Sequence, residues 1–233
     1  MSAWGSSSRS SDALVARLSS TTPPTSLNIL PLKTFSLDNW ETVLAHLETP
    51  SCKLQDLSIP RDVPPEVVDR LAKVLQSPNC ALTSLHIGDN SLNSTQLSAI
   101  FAKECPSVHT VDLCNKAITD ADFLSHLVNL QTLDLSRNQD LKIATWSAVA
   151  GRVDLSECKL GSVDLSRLTK DKEGVYEALN LTSNFDVFAD SEVGALEELM
   201  GKCKELNLTN CKIAESLCES AGERGDGRKA AAL

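Results

Sequence analysis

Between residues 79 and 92 the chain reads NCALTSLHIGDNSL, with apolar side chains at Leu82, Leu85, Ile87 and Leu92 and polar ones between. The Leu85-to-Ile87 spacing of two places alternate side chains on opposite faces, as in a half-buried strand. Asn90 then breaks the alternation. The same wording recurs as LQTLDLSRNQDL, with Leu130, Leu133, Leu135 and Asn138, and as CKELNLTNCKI, with Cys203, Leu206, Leu208, Cys211 and Ile213. Looser copies begin at Leu27, Leu54, Val108, Ala150 and Tyr176, so eight starts fall at 27, 54, 82, 108, 130, 150, 176 and 203. A period of 20 to 28 residues is the mark of a stacked repeat.

Between the strands the apolar spacing changes to that of a helix face: Trp40, Val43, Leu44 and Leu47; Val67, Leu71, Val74 and Leu75; Leu97, Ile100 and Phe101. Pro64 and Pro65 open the second of these segments, Ser94 is expected to cap the third, and Thr119 with Asp122 forms an imperfect capping box for a fourth. A strand followed by a returning segment forces the next strand to lie parallel. At the position that ends each strand, the ladder reads Phe35, Asp62, Asn90, Lys116, Asn138, Cys158, Asn184 and Cys211. An Asn or Cys there satisfies backbone groups that have left the strand.

The pattern L-x-x-L-x-L-x-x-N-x-L resembles the leucine-rich repeat family over residues 27 to 216. The units with Cys52 and Cys80 two residues before the first leucine resemble its ribonuclease-inhibitor-like subclass. The shorter spacings after Val108 and Leu130 resemble shorter repeat classes with less helical outer segments. The resemblance implies an α/β solenoid of about eight repeats, with a curved parallel sheet on the concave face and helices and turns on the convex face. Eight strands would span roughly 34 Å of sheet. The repeat domain is expected over residues 25–221, ending in a cap around AESLCESAG, with residues 1–24 and 222–233 as flexible tails.

Composition narrows the function. The formal charge is −9, aromatics are 4% of residues, and no basic run forms a stripe, so a nucleic-acid partner is not expected. No apolar run approaches the roughly 20 residues of a membrane span, and the N-terminus lacks a signal-peptide core. Its Ser and Arg content leaves a mitochondrial presequence as a minor alternative, against which Asp12 counts. Eight cysteines without a CxxC pair, in so leucine-rich a chain, are expected as free thiols in a reducing, cytoplasmic setting.

The outward side chain at the centre of each strand reads Pro31, Ser58, His86, Asp112, Asp134, Asp154, Asn180 and Asn207. Three successive aspartates would repel one another on adjacent strands and would be relieved by Lys or Arg from a partner. Asp89, Arg137 and Arg152 flank this column, and the two arginines are expected to neutralise the aspartates in part. The nearby Cys80, His86 and Asp89 do not form a triad, because Cys80 faces the core while His86 faces out. No nucleophile elbow, phosphate loop or metal-ligand spacing occurs, so neither an enzyme nor a cofactor is expected. Cys114 lies on the exposed face beside Asp112, which raises rather than lowers a thiol pKa. The expectation is a non-catalytic module that binds a protein partner with a basic surface through His86, Asp89, Asp112, Asp134, Arg137, Arg152, Asp154, Asn180 and Asn207, as adaptor, regulator or subunit of an assembly. The resemblance also admits an enzyme regulator, either an inhibitor or a GTPase activator like the Ran GTPase-activating protein, although no activating residue of such a protein matches a position here. The residues leave the oligomeric state open.

Overall fold

A computed structural model describes residues 5–30, 32, 35–60, 63–88, 92–144, 146, 150–170, 175–184, 193–211 and 230–231. The chain is a mixed α/β, solenoid-like fold built on one parallel sheet. Its strands are β1 Ser26–Asn28, β2 Asp56–Ile59, β3 Ser84–Ile87, β4 Thr110–Asp112, β5 Thr132–Asp134, β6 Arg152–Asp154, β7 Ala178–Asn180 and β8 Leu206–Asn207, and each pairs only with the strands before and after it in sequence. A two-residue strand, β9 Ala230–Ala231, adds to the outer edge of β8.

Register fixes the core as three parallel columns. One runs through Leu27, Leu57, Leu85, Val111, Leu133, Val153, Leu179 and Leu206, all buried. Two residues on, Ile29, Ile59, Ile87, Leu113, Leu135, Leu155 and Leu181 form the second, and Leu54, Leu82, Val108, Leu130, Ala150, Tyr176 and Cys203 form the third. The first two columns are wholly Leu, Ile and Val, and their stacking explains how a chain so poor in aromatics closes a core. Every strand residue between these columns is at least partly exposed, so one face of the sheet is open.

The other face carries α2 Leu37–Leu47, α3 Pro65–Leu75, α4 Ser94–Ile100, α5 Ser162–Lys170 and α6 Val193–Gly201, following β1, β2, β3, β6 and β7. Trp40, Val43, Leu44, Leu47, Val67, Leu71, Val74, Leu75, Leu97, Ile100 and Phe101 are all buried, as their spacing requires. β4 is followed instead by a 3₁₀ turn, Asp122–His126, and no helix follows β5 among the described residues. The shorter units lack the residues to complete one.

Four sequence expectations need correction. The first unit starts three residues earlier than its leucines suggest: Leu27 pairs in register with Leu57, so Asn28, not Pro31, is the central outward residue and Phe35 is not on the ladder. Phe35 stands edge-on to Trp40, with ring centroids 5.1 Å apart. Residues 5–16 of the supposed N-terminal tail form a helix, α1 Gly5–Ala16, which packs on α2. Val15 and Leu18 are buried and Asp12 Oδ1 accepts from Asn39 Nδ2 at 3.1 Å, so this segment covers the first unit. Ala230–Ala231 belong to the sheet and not to a free C-terminal tail, while the cap placed at AESLCESAG lies outside the described residues. Finally, α4 is capped by Asn93, whose Oδ1 accepts from Gln96 N at 2.9 Å while Gln96 Oε1 accepts from Asn93 N. Ser94 Oγ accepts from Thr119 N of the next unit, and no side chain caps the turn at Asp122.

The ladder works as its residue types require. Asn138 is fully buried; its Oδ1 accepts from Lys116 N at 2.8 Å and Ile118 N at 3.1 Å, and its Nδ2 donates to the carbonyls of Leu113 and Leu135. Asn184 does the same for Cys158 N, Leu160 N, Leu155 O and Leu181 O. Cys158 and Cys211 fill the position with a weaker donor, each thiol pointing at a carbonyl of the preceding unit 3.0–3.1 Å away. Lys116, also buried, donates its Nζ to Cys114 O at 2.5 Å.

Candidate functional site

The open face is built by strand register. Ser58, His86, Asp112, Asp134, Asp154, Asn180 and Asn207 occupy one continuous outward column across seven strands. Neighbours in such a column lie roughly 5 Å apart at their backbones. The column thus brings together six of the nine residues singled out in the sequence. Arg152 joins a flanking column with Thr132 and Ala178. Arg137 sits on the turn beyond β5 in a left-handed conformation, φ 62°. Asp89 lies outside the described residues.

Each acidic or amide side chain of the column is held by its own strand end. Oδ1 of Asp112 accepts from Cys114 N at 3.0 Å, that of Asp134 from Ser136 N at 2.8 Å and that of Asp154 from Ser156 N at 2.9 Å. Asn180 and Asn207 repeat the bond with Thr182 N and Thr209 N, and their Oδ1 atoms also accept from the threonine hydroxyls. The wording D-L-S, D-L-C and N-L-T therefore encodes a side-chain turn that ends the strand. It also fixes the χ angles of the column, leaving the second oxygen or the amide nitrogen to face outward. This pairing was present in the sequence at a fixed i to i+2 spacing but is invisible to a search for catalytic motifs.

The second oxygens are treated unequally. Asp154 Oδ2 accepts from Asn180 Nδ2 at 2.9 Å, and Asp112 Oδ2 lies 3.5 Å from His86 Nδ1. Between them, Asp134 is bonded to Ser136 alone, and no cation pairs with it among the described residues. Partial burial raises the Asp134 carboxyl above the usual carboxylate range; its bonds to Ser136 act against this, and Asp154 and Asp112 add to it. The two arginines do not relieve the column. Arg137 Nε is 3.4 Å from Glu157 Oε1 and Arg152 Nε is 3.4 Å from Glu177 Oε2, both pairs well exposed and so weakly held. The acidic charge of the column consequently stays uncompensated at its centre.

Cys114, two residues beyond Asp112 on the same rim, has its thiol pushed up chiefly by burial, with Asp134 and Asp112 adding and a bond to Ser136 opposing. That direction is opposite to activation of a nucleophile. Cys80 is buried and His86 half-exposed, so they share no site. Among the described residues no three His, Cys, Asp or Glu side chains are grouped to hold a metal ion, and no helix is long and apolar enough to cross a membrane.

An open cleft of about 440 Å³ lies off this face, between the turns that follow β5 and β6, flanked by Lys142 and Lys159 and floored by Ile143 and Leu160. Asp164 staples its two walls, accepting from Ile143 N at 2.8 Å and Gly161 N at 2.9 Å. No protein-family model matches the chain, and no curated protein matches it.

Proposed function

We propose that the chain is a leucine-rich repeat solenoid of the ribonuclease-inhibitor-like kind, and that its concave face docks a protein partner with a basic surface. The observation that carries this reading is the column Asp112–Asp134–Asp154, whose carboxylates are pre-oriented by their own strand ends while the central one is left without a countercharge. A Lys or Arg brought by a partner would relieve repulsion already present in the free protein, and a pre-ordered side chain loses little entropy on binding. His86, Asn180 and Asn207 extend the face to either side with further hydrogen-bonding groups, while Arg137 and Arg152 set its margins. Such a face recognises shape and charge without chemistry, so the module acts as adaptor, regulator or assembly subunit and not as an enzyme. The seven described cysteines are all free thiols, which supports a reducing, cytoplasmic setting.

The test is affinity purification from native cells with the wild-type chain and with Asp112→Asn, Asp134→Asn and Asp154→Asn combined. Asparagine keeps the strand-ending bond, as Asn180 and Asn207 show, and removes only the charge. The expected result is loss of the principal partner by at least about tenfold with thermal stability no lower than that of the wild type, and weaker capture by the wild type as salt rises. Equal recovery by the two proteins would overturn the reading.

A further inference from the structure

The cleft between the turns that follow β5 and β6 takes no part in the open face, and its charge is of the opposite sign. In a chain of net charge −9, Arg70, Arg137, Arg152 and Lys204 each pair with a carboxylate. Lys142 and Lys159, both exposed, edge the cleft from its two sides, and neither pairs with a carboxylate among the described residues. Between them the lining is apolar. Val163, at 69% the most exposed of the large apolar side chains described, stands on the wall made by the start of α5, and Ala144, also exposed, stands on the other. An apolar recess of about 440 Å³ with a few charged groups at its edge is the arrangement of a recognition pocket, in which the lining supplies affinity and the charges supply orientation.

We infer that this cleft docks an acidic peptide of a partner protein, which inserts one aliphatic side chain against Val163 and sets carboxylates against Lys142 and Lys159. Charge complementarity chooses the occupant. A basic segment would bring its cations up to two lysines and find no free acid in the lining, because the one carboxylate there is already used: Asp164 is buried, its Oδ1 accepts from Ile143 N at 2.8 Å and its Oδ2 from Gly161 N at 2.9 Å. An uncharged apolar segment would cover the floor and strip water from the lysine heads without replacing it. An acidic segment built around an aliphatic residue satisfies the floor and the edges together.

The cleft is held open by the fold itself. Ile143 and Gly161 belong to opposite walls, and the two bonds from Asp164 tie those walls at a fixed separation. A site formed before its ligand arrives spends little on ordering itself. The space exists because no helix follows β5 among the described residues, so the first turn of α5 has no helix of the preceding unit beside it. Gly161 keeps that space clear: a Cβ there would meet nothing nearer than Asp164 Oδ2 at 3.7 Å. The protein thus offers two contact surfaces of opposite preference, the open face for cations and the cleft for an acidic segment.

The test is titration of the isotope-labelled full chain with the synthetic peptide SEDLEDS, blocked at both ends and followed by amide NMR shifts. The expected result is saturable binding with a Kd below about 1 mM, with shifts at Ile143, Ala144, Leu160 and Gly161 and none at Asp112, Asp134 and Asp154. Lys142→Glu combined with Lys159→Glu should raise the Kd by about tenfold or more, as should the uncharged peptide SQNLQNS. Val163→Ser, at a position too exposed to disturb the core, and the peptide SEDSEDS should each raise it by about threefold or more. The variant with Asp112, Asp134 and Asp154 all changed to Asn should bind SEDLEDS no more weakly than the wild type, so the cleft is tested apart from the open face. Absence of saturable binding, shifts confined to other residues, an unchanged Kd in the lysine variant, or equal binding of SKKLKKS would overturn the inference. So would a dimer in sedimentation that the lysine variant abolishes, since that result assigns the cleft to a second copy of the chain.

Discussion

Asn138 serves two successive units with one side chain. Its Oδ1 accepts from the N–H groups of Lys116 and Ile118 and its Nδ2 donates to the carbonyls of Leu113 in the preceding unit and Leu135 in its own, all away from water. Replacing it by alanine removes these four buried bonds at once, and Asn138→Ala should cost about 3 kcal/mol or more in urea unfolding. Asp134 presents the reverse case, a side chain whose charge opposes the fold. Its folded pKa is raised, so its contribution favours the fold below the ordinary carboxyl range and is lost as pH rises through the folded value. Asp134→Asn keeps the bond to Ser136 N and removes the repulsion. It should therefore stabilise the protein at neutral pH by about 0.5 kcal/mol, with the gain disappearing as pH falls below about 4, which paired thermal melts would measure. Both residues were legible as column members in the sequence. What was not legible was the i to i+2 bond, because LDLS reads equally as a plain alternating strand.

Helices α2 to α4 were visible because their apolar residues recur every three or four positions, and all three bury the stripe that the spacing marks out. α4 is seven residues long, too short to hold by propensity, and its reciprocal Asn93–Gln96 cap supplies part of what length does not. Asn93→Ala should destabilise by about 1 kcal/mol, read as a lower urea midpoint with unchanged slope. The cap was missed because Asn93 and Ser94 are adjacent and both are good capping residues; the hydroxyl of Ser94 instead serves the Thr119 amide of the following unit. The first strand was misaligned for a comparable reason. LNILPL offers apolar residues in two registers three apart, and only Pro31, which has no N–H to give a ladder, discriminates between them. α1 and β9 left no periodic signal at all. One is Ser-rich and the other is two alanines, and each is placed by what it meets: Asn39 on α2, and the edge of β8.

Across the protein, successive units of 30, 28, 26, 22, 20, 26 and 27 residues share one unbroken sheet, while the layer behind it is uneven. Contacts in such a fold run between neighbours, so thickness at any point decides how much holds that point together. The existence of the sheet and its outward columns could be read from the sequence because both repeat; the thickness could not, because it depends on whether twenty residues leave room for a helix. Among the described residues no α-helix follows β4 or β5, the strands that carry Asp112 and Asp134. Stiffness of a layered plate rises steeply with its depth, so bending of the sheet is expected to concentrate at these two strands. A partner that reaches across to His86 on one side and Asn207 on the other would set the angle between two firmer halves, gripping the protein at its own crease.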